Sequence, residues 1–341
     1  MQTATTDVGS LPLTDDFEGA QKNFGKAVED KLSLGLDFPC YPQLPGTKES
    51  PMNMYLQFLA PLAKEGRGLS IEGEELHLEG EIEVPSHPLG VERAEYFVNF
   101  ASQKRDSVHL IGLKGCLTGP FTLASAIDRA DLFTSGVSKR EVVAKLSELV
   151  SASCRRLEDL GFGLISIDEP ILSVLLGDDD RILRKLFGYG EDFVVDSLDG
   201  ILGNVGVCIG IHVCGVVTPM VKRVLLDSNV DIVDHEFCEI PRNLVAYTKN
   251  ELQSRDKLLA LGCVSSTRPT VEGVQTIKRR IEAGLDHFGQ DILIKPDCGF
   301  GGLLGAPSAY DICLRKLGNL IRAKEELSKE RILESGASSG K

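Results

Sequence analysis

The chain has 341 residues, enough for one large α/β domain or two ordinary ones with a substantial core. Its formal net charge of −13, with no Lys/Arg run to offset it, argues against nucleic acid or an anionic membrane as partner. Nine scattered cysteines and a start, MQTATTDVGS, without the basic and apolar pattern of an export signal argue against a disulfide framework and predict reduced thiols in a cytoplasmic protein.

In chain order, short runs rich in Val, Ile and Leu predict strands at 3–9, 36–40, 108–115, 163–169, 206–213, 230–236, 258–264 and 292–297. After the second of these, GLSIEGEELHLEGEIEV (68–84) alternates polar and apolar residues between glycines, and predicts an inserted β-hairpin. From Lys139 to Leu160 the residues Val142, Val143, Leu146, Leu149, Val150, Cys154 and Leu157 fall on one helical face. SKRE sets a capping box from Ser138 to Glu141, and Gly161 stops the helix. Gly200 to Val221 is uncharged, but its Asn, His, Pro and several glycines fit a buried strand entering a loop better than a membrane span. Further helices are expected at 271–283 and 308–327, and the tail SGASSGK (335–341) is expected to be disordered.

Eight strands alternating with helices predict a single (β/α)8 TIM barrel over residues 1–334, with the hairpin as its insertion. A doubly wound open sheet is the alternative, and no Gly-rich dinucleotide or phosphate-loop fingerprint supports it.

In a barrel of this kind chemistry sits at the C-terminal strand ends, which here read VGS, GCLTGP, IDEP, HVCG, DHE, GCVSS and PDCGFGG. His212 and Cys214, two apart, project to the same side. An isolated H-x-C in an apolar run is more often packing than ligand. Two other strand ends change the balance by adding Glu236 and Cys298, a donor set suited to zinc. His235 and Cys238 are rival ligands in the same loop; Glu236 is preferred because His235 faces the other side of its strand. Zinc among thiolates ionises an incoming thiol, so thiol alkylation is the natural chemistry, with hydrolysis by zinc-activated water as the alternative.

TTDVGSLP, LKGCLTGPFTLA, ISIDEP, HVCG and KPDCGFGG, in that order and across nearly the whole chain, resemble the catalytic barrel of the cobalamin-independent methionine synthases, within the wider uroporphyrinogen decarboxylase-like superfamily. The resemblance implies a zinc ion held by His212, Cys214, Glu236 and Cys298, and homocysteine as the thiol. It also implies that the substrate's amino-acid end lies at Val8, Gly9 and Ser10 and on Asp168. An ammonium in a buried pocket needs a carboxylate such as Asp168, while the N–H groups of Gly9 and Ser10 and the Ser10 hydroxyl could take the substrate carboxylate. Asp168 could equally cap a helix, and Ser10 could be an ordinary turn residue.

Three departures from the family pattern bear on the donor and acceptor. Only one barrel is present where the folate-dependent enzyme has two, and GCVSSTRP after the seventh strand lacks the family's histidine. Both favour a methylcorrinoid, carried free or on a corrinoid protein, over methyltetrahydrofolate. The family's amine-binding glutamate is also replaced, with Gln43 and Glu49 as candidate substitutes. Another thiol, such as coenzyme M with Arg268 facing its sulfonate, and a porphyrin decarboxylase are the competing readings.

Overall fold

The computed structural model describes residues 3–13, 21–45, 53–73, 75–104, 110–177, 181–188, 190–203, 205–289 and 292–338. Nine strands are assigned among them. They are β1 (Ala4–Thr5), β2 (Leu69–Glu72), β3 (Glu75–Leu78), β4 (Lys114–Thr118), β5 (Leu164–Asp168), β6 (Cys208–His212), β7 (Ile232–Glu236), β8 (Leu258–Val264) and β9 (Ile292–Pro296). Seven form one sheet in the order β1-β9-β8-β7-β6-β5-β4, and every pairing in it is parallel.

The two edges of that sheet are joined by the segment around Phe38 and Cys40. Phe38 N–H donates to Thr5 O at 3.0 Å on one side, and on the other Lys114 N–H donates to Pro39 O at 3.1 Å and Tyr41 N–H to Lys114 O at 2.7 Å. The expected second strand is thus the eighth stave, and the sheet closes into the TIM barrel. Closure removes the exposed edges that an open parallel sheet would carry.

The hairpin is present as β2 paired antiparallel with β3. It is shorter than expected, since 79–84 continue without strand pairing. The strand expected at 108–115 lies further along, at Lys114–Thr118, and Val108 and His109 fall outside the described residues. The displacement has a physical cause. Lys114 looks like a strand terminus in sequence, yet it is buried inside the barrel and its Nζ donates to Asp7 O at 2.9 Å.

Helix Lys139–Asp159 buries all seven apolar residues of its expected face, and Gly161 follows with φ +90°. The capping box at Ser138 does not form: Ser138 is extended and makes no side-chain cap bond. A complete capping box stands instead at Thr248 and Glu251, before the short helix Lys249–Ser254. The helix expected at 271–283 runs from Val274 to Phe288. The one expected at 308–327 runs from Ala309 to Ser338, into the stretch read as a tail, and 339–341 lie outside the described residues.

Inside the barrel, Ala4, Phe38, Leu164, Ile232, Ala260 and Leu293 form an apolar plug at the N-terminal end. Above it the lining turns polar, with Lys114, Ser166, Asp234 and Lys295 all buried. The plug keeps water from entering below, so the polar groups above it must satisfy one another or whatever binds from the open end.

Candidate functional site

Strand pairing aligns the polar residues. Thr118, Asp168, His212 and Asp234 are successive register partners across β4, β5, β6 and β7, so their side chains leave the sheet at one height and on one face. His212 Nε2 lies 3.0 Å from Cys214 Sγ, and Cys214 Sγ lies 3.5 Å from Cys298 Sγ. The His212, Cys214 and Cys298 donor atoms all fall within 4.8 Å of one another, a spacing one metal ion can span.

Glu236 stands at the end of β7 but outside that cluster, its Oε2 accepting a hydrogen bond from Gly215 N at 2.7 Å. The rival His235 points away from the barrel interior. Its Nδ1 meets Val213 O at 3.0 Å, its Nε2 meets the Tyr247 hydroxyl at 3.0 Å, and its ring stacks on Tyr247. Cys238 is also elsewhere, with its sulfur toward Glu272.

The groups around the cluster set the protonation of its donors. Cys298 is drawn toward the thiolate by the hydrogen bond from Cys214, against its burial and with His212 assisting. Cys214 is held as the thiol by that same bond and by burial. Burial alone would lower the His212 pKa, but the Asp234 carboxylate beside it pushes it up to about 10. His212 is buried and the two thiols are half-buried beside the Glu236 carboxylate. Their donor chemistry fits zinc: two sulfurs and one imidazole nitrogen with a carboxylate close by.

The substrate-binding candidates surround this cluster. Asp168 Oδ2 accepts from Cys116 Sγ at 3.0 Å, and its pKa is raised by burial despite the nearby His212. Ser10 packs against the loop that carries Cys298: Phe300 N donates to Ser10 O at 3.0 Å, and a Cβ on Gly299 would lie 1.9 Å from Ser10 Oγ. Only glycine permits that approach. Gly9 has φ +115°, and Lys31 Nζ donates to its carbonyl at 2.9 Å. Among the described residues no acceptor meets the N–H of Gly9 or Ser10. Val8 is buried and offers only its backbone.

Gln43 bridges to Ser10 through the backbone and donates from Nε2 to Cys116 O at 2.9 Å, which places it beside Cys116 and Asp168. Glu49 lies outside the described residues. Arg268 is exposed on the rim, its backbone N–H donating to Ser265 Oγ at 3.0 Å. Glu169 caps the start of helix Pro120–Ser125, accepting from Phe121 N and Thr122 N, each at 2.9 Å.

Sequence reasoning passed over Asp234, Lys295 and Asp297. Asp234 Oδ1 accepts from Lys295 Nζ at 2.7 Å and meets His212 Nδ1 at 2.8 Å. Asp297 takes three backbone N–H groups, those of Phe237, Cys238 and Glu239. Two-residue spacing from Glu236 was the available signal for Asp234; Lys295 and Asp297 stand in KPDCGFGG, of which the sequence reading took only Cys298 as a site residue.

A closed barrel with a candidate metal-binding cluster and a carboxylate at the C-terminal ends of its strands defines an enzyme of the TIM-barrel class. Residues 86–309, more than half of the chain, match the family model for the catalytic domain of the cobalamin-independent synthases, and the chain belongs to that family. It is a methyltransferase. A methionine synthase of Methanothermobacter marburgensis is 27% identical over 341 residues, covering 94% of this chain and 99% of the relative. One from Methanothermobacter thermautotrophicus is 28% identical over 311 residues, covering 86% and 92%.

Among solved structures, a B12-independent methionine synthase from Shewanella superposes with a TM-score of 0.69 at 15% identity, covering 98% of this chain and all of that one. A methyltransferase from Methanosarcina mazei reaches 0.61 at 14% identity, covering 96% of this chain and 94% of that one. Both carry the same fold. Among the described residues no helix is long and apolar enough to cross a membrane.

Proposed function

We propose that the protein is a zinc-dependent, cytoplasmic methyltransferase that methylates the thiol of homocysteine to form methionine, with a methylcorrinoid rather than methyltetrahydrofolate as donor. The observation that carries this reading is the convergence of His212, Cys214 and Cys298 within 4.8 Å at the open end of the barrel. These three would hold the metal, with Glu236, whose charge bears on Cys214 and whose Oε2 accepts from Gly215 N, as the fourth ligand. The names of the relatives support methionine as product. Nine free cysteines fit a reducing compartment.

Zinc bound there would make the substrate sulfur nucleophilic at neutral pH, where a free thiol is mostly protonated. The rest of the work falls to the chain. Asp168 holds the substrate ammonium, and the N–H groups of Gly9 and Ser10 take its carboxylate, so the sulfur is directed toward Cys214 and Cys298. The apolar plug below the polar lining excludes water from behind the site. The sulfur then attacks the methyl carbon, and the electron pair of the broken bond leaves with the donor.

A corrinoid leaving group needs no proton on departure. The absence of histidine from GCVSSTRP agrees with that, since this loop carries Ser265 and Thr267, both bonded to Glu239. The test is to incubate purified protein with homocysteine and either methylcobalamin or methyltetrahydrofolate, and to measure methionine together with bound zinc. Methionine from methylcobalamin alone supports the reading. Methionine from methyltetrahydrofolate alone removes the corrinoid, and a fully active zinc-free protein removes the metal.

A further inference from the structure

Lys295 lies on β9 inside the barrel, fully buried, three residues before Cys298. Its ammonium makes three bonds, enough to use all three protons: to Asp234 Oδ1 at 2.7 Å, Pro296 O at 3.0 Å and Asp297 O at 2.8 Å. Asp234, equally buried, meets His212 Nδ1 at 2.8 Å with the oxygen that Lys295 holds. One cation therefore ties the carboxylate that orients His212 to the carbonyl of the residue preceding Cys298. His212 and Cys298 are 86 positions apart in sequence, one ending β6 and the other just past β9, which are not neighbours in the sheet.

We propose that Lys295 and Asp234 act together as positioning residues for the metal, directing the His212 Nε2 lone pair at Cys214 and Cys298 and setting the distance between the two ligand-bearing strand ends. The inference rests on the zinc reading above and extends it to two residues that touch no substrate. An acceptor at Nδ1 puts the ring proton there and leaves Nε2 free to ligate. A carboxylate alone could swing away; held by Lys295, it cannot without exposing a buried ammonium.

Zinc affinity of the full chain, measured by competition with a chromophoric chelator, tests this together with the visible spectrum of the cobalt(II)-loaded protein. Asp234→Asn and Lys295→Met should each weaken zinc binding about 10- to 100-fold and shift the cobalt bands. The double variant, which removes both buried charges at once, should be no weaker than the worse single variant. Nitrogen NMR of the unaltered metal-loaded protein should show Nε2 as the His212 ligand and a proton on Nδ1.

A folded Asp234→Asn protein with zinc affinity within twofold of the parent overturns the proposal, as do fully additive losses in the double variant or ligation through Nδ1. Absence of zinc from the parent protein would sink the metal reading itself, and this proposal with it. Normal zinc in the parent combined with any of the other three results sinks the positioning role alone. If Lys295→Met does not fold, the double variant and the NMR experiment still decide.

Discussion

Asp168 and His212 are register partners across the β5–β6 ladder, so a half-buried carboxylate and an imidazole of the candidate metal-binding cluster emerge side by side from adjacent strands. An amino thiol lying between them would meet a counter-charge at one end and the candidate metal site at the other. The separation of roles between these two residues is experimentally accessible.

Asp168→Ala should raise KM for homocysteine at least tenfold while zinc content stays at the parent level, because the proposed function pairs this side chain with substrate rather than metal. Metal analysis and steady-state kinetics on the same preparation check this. Loss of zinc in the variant would reassign Asp168 to support of the metal.

Cys298→Ser should strip zinc and abolish methyl transfer, since serine is a poor ligand at neutral pH. The same site makes a labelling prediction. In metal-free protein Cys298, drawn toward the thiolate, should react first with an alkylating reagent. Cys154 and Cys208, each pushed up to about 12 by burial, should react slowly. Zinc should protect Cys214 and Cys298 together, and equal labelling of both with and without the metal would count against the cluster.

Gly299→Ala places a methyl group where Ser10 Oγ now sits. Overpacking of this kind costs about 1–3 kcal/mol and moves backbone on both sides of the contact, Cys298 included. The variant should therefore melt lower and bind both zinc and homocysteine less well. Ser10→Ala combined with it should recover part of the stability, and no recovery would mean that the strain lies elsewhere.

Stability should fall as pH rises from about 5 to 8, partly through Glu169. Burial pushes its carboxyl up to about 7 from 4.5, although Thr122 and Phe121 donate to it. The folded pKa lies above the unfolded one, so the contribution is complete below about 4.5 and is lost as pH passes 7. Glu169→Gln cannot ionise, and its melting temperature should change less over that range. Parallel profiles for the two proteins would refute the assignment.

Much of this site is legible in the sequence because strand geometry is local. Two-residue spacing puts His212 and Cys214 on one face and turns His235 away from Glu236, and the structure has both arrangements. The alternation of apolar runs with helical patterns defines the barrel, and the seven-residue apolar face of helix Lys139–Asp159 is buried throughout. Local pattern misleads where an apparently solvated residue finds a buried partner. Lys114 reads as the end of a strand and begins one inside the barrel, while Ser138 reads as a capping residue and makes no cap bond.

Residue identity and spacing by themselves determined which donors stand at the strand ends and which way they face. Tertiary structure alone decided that Lys295 would join Asp234 to the Asp297 carbonyl, that Gly299 would admit Ser10, and that Glu236 would rest on Gly215. The first set follows from the two-residue repeat of a single strand. The second depends on the register between strands and on barrel closure, which bring together groups tens to hundreds of residues apart where no water competes for their hydrogen bonds.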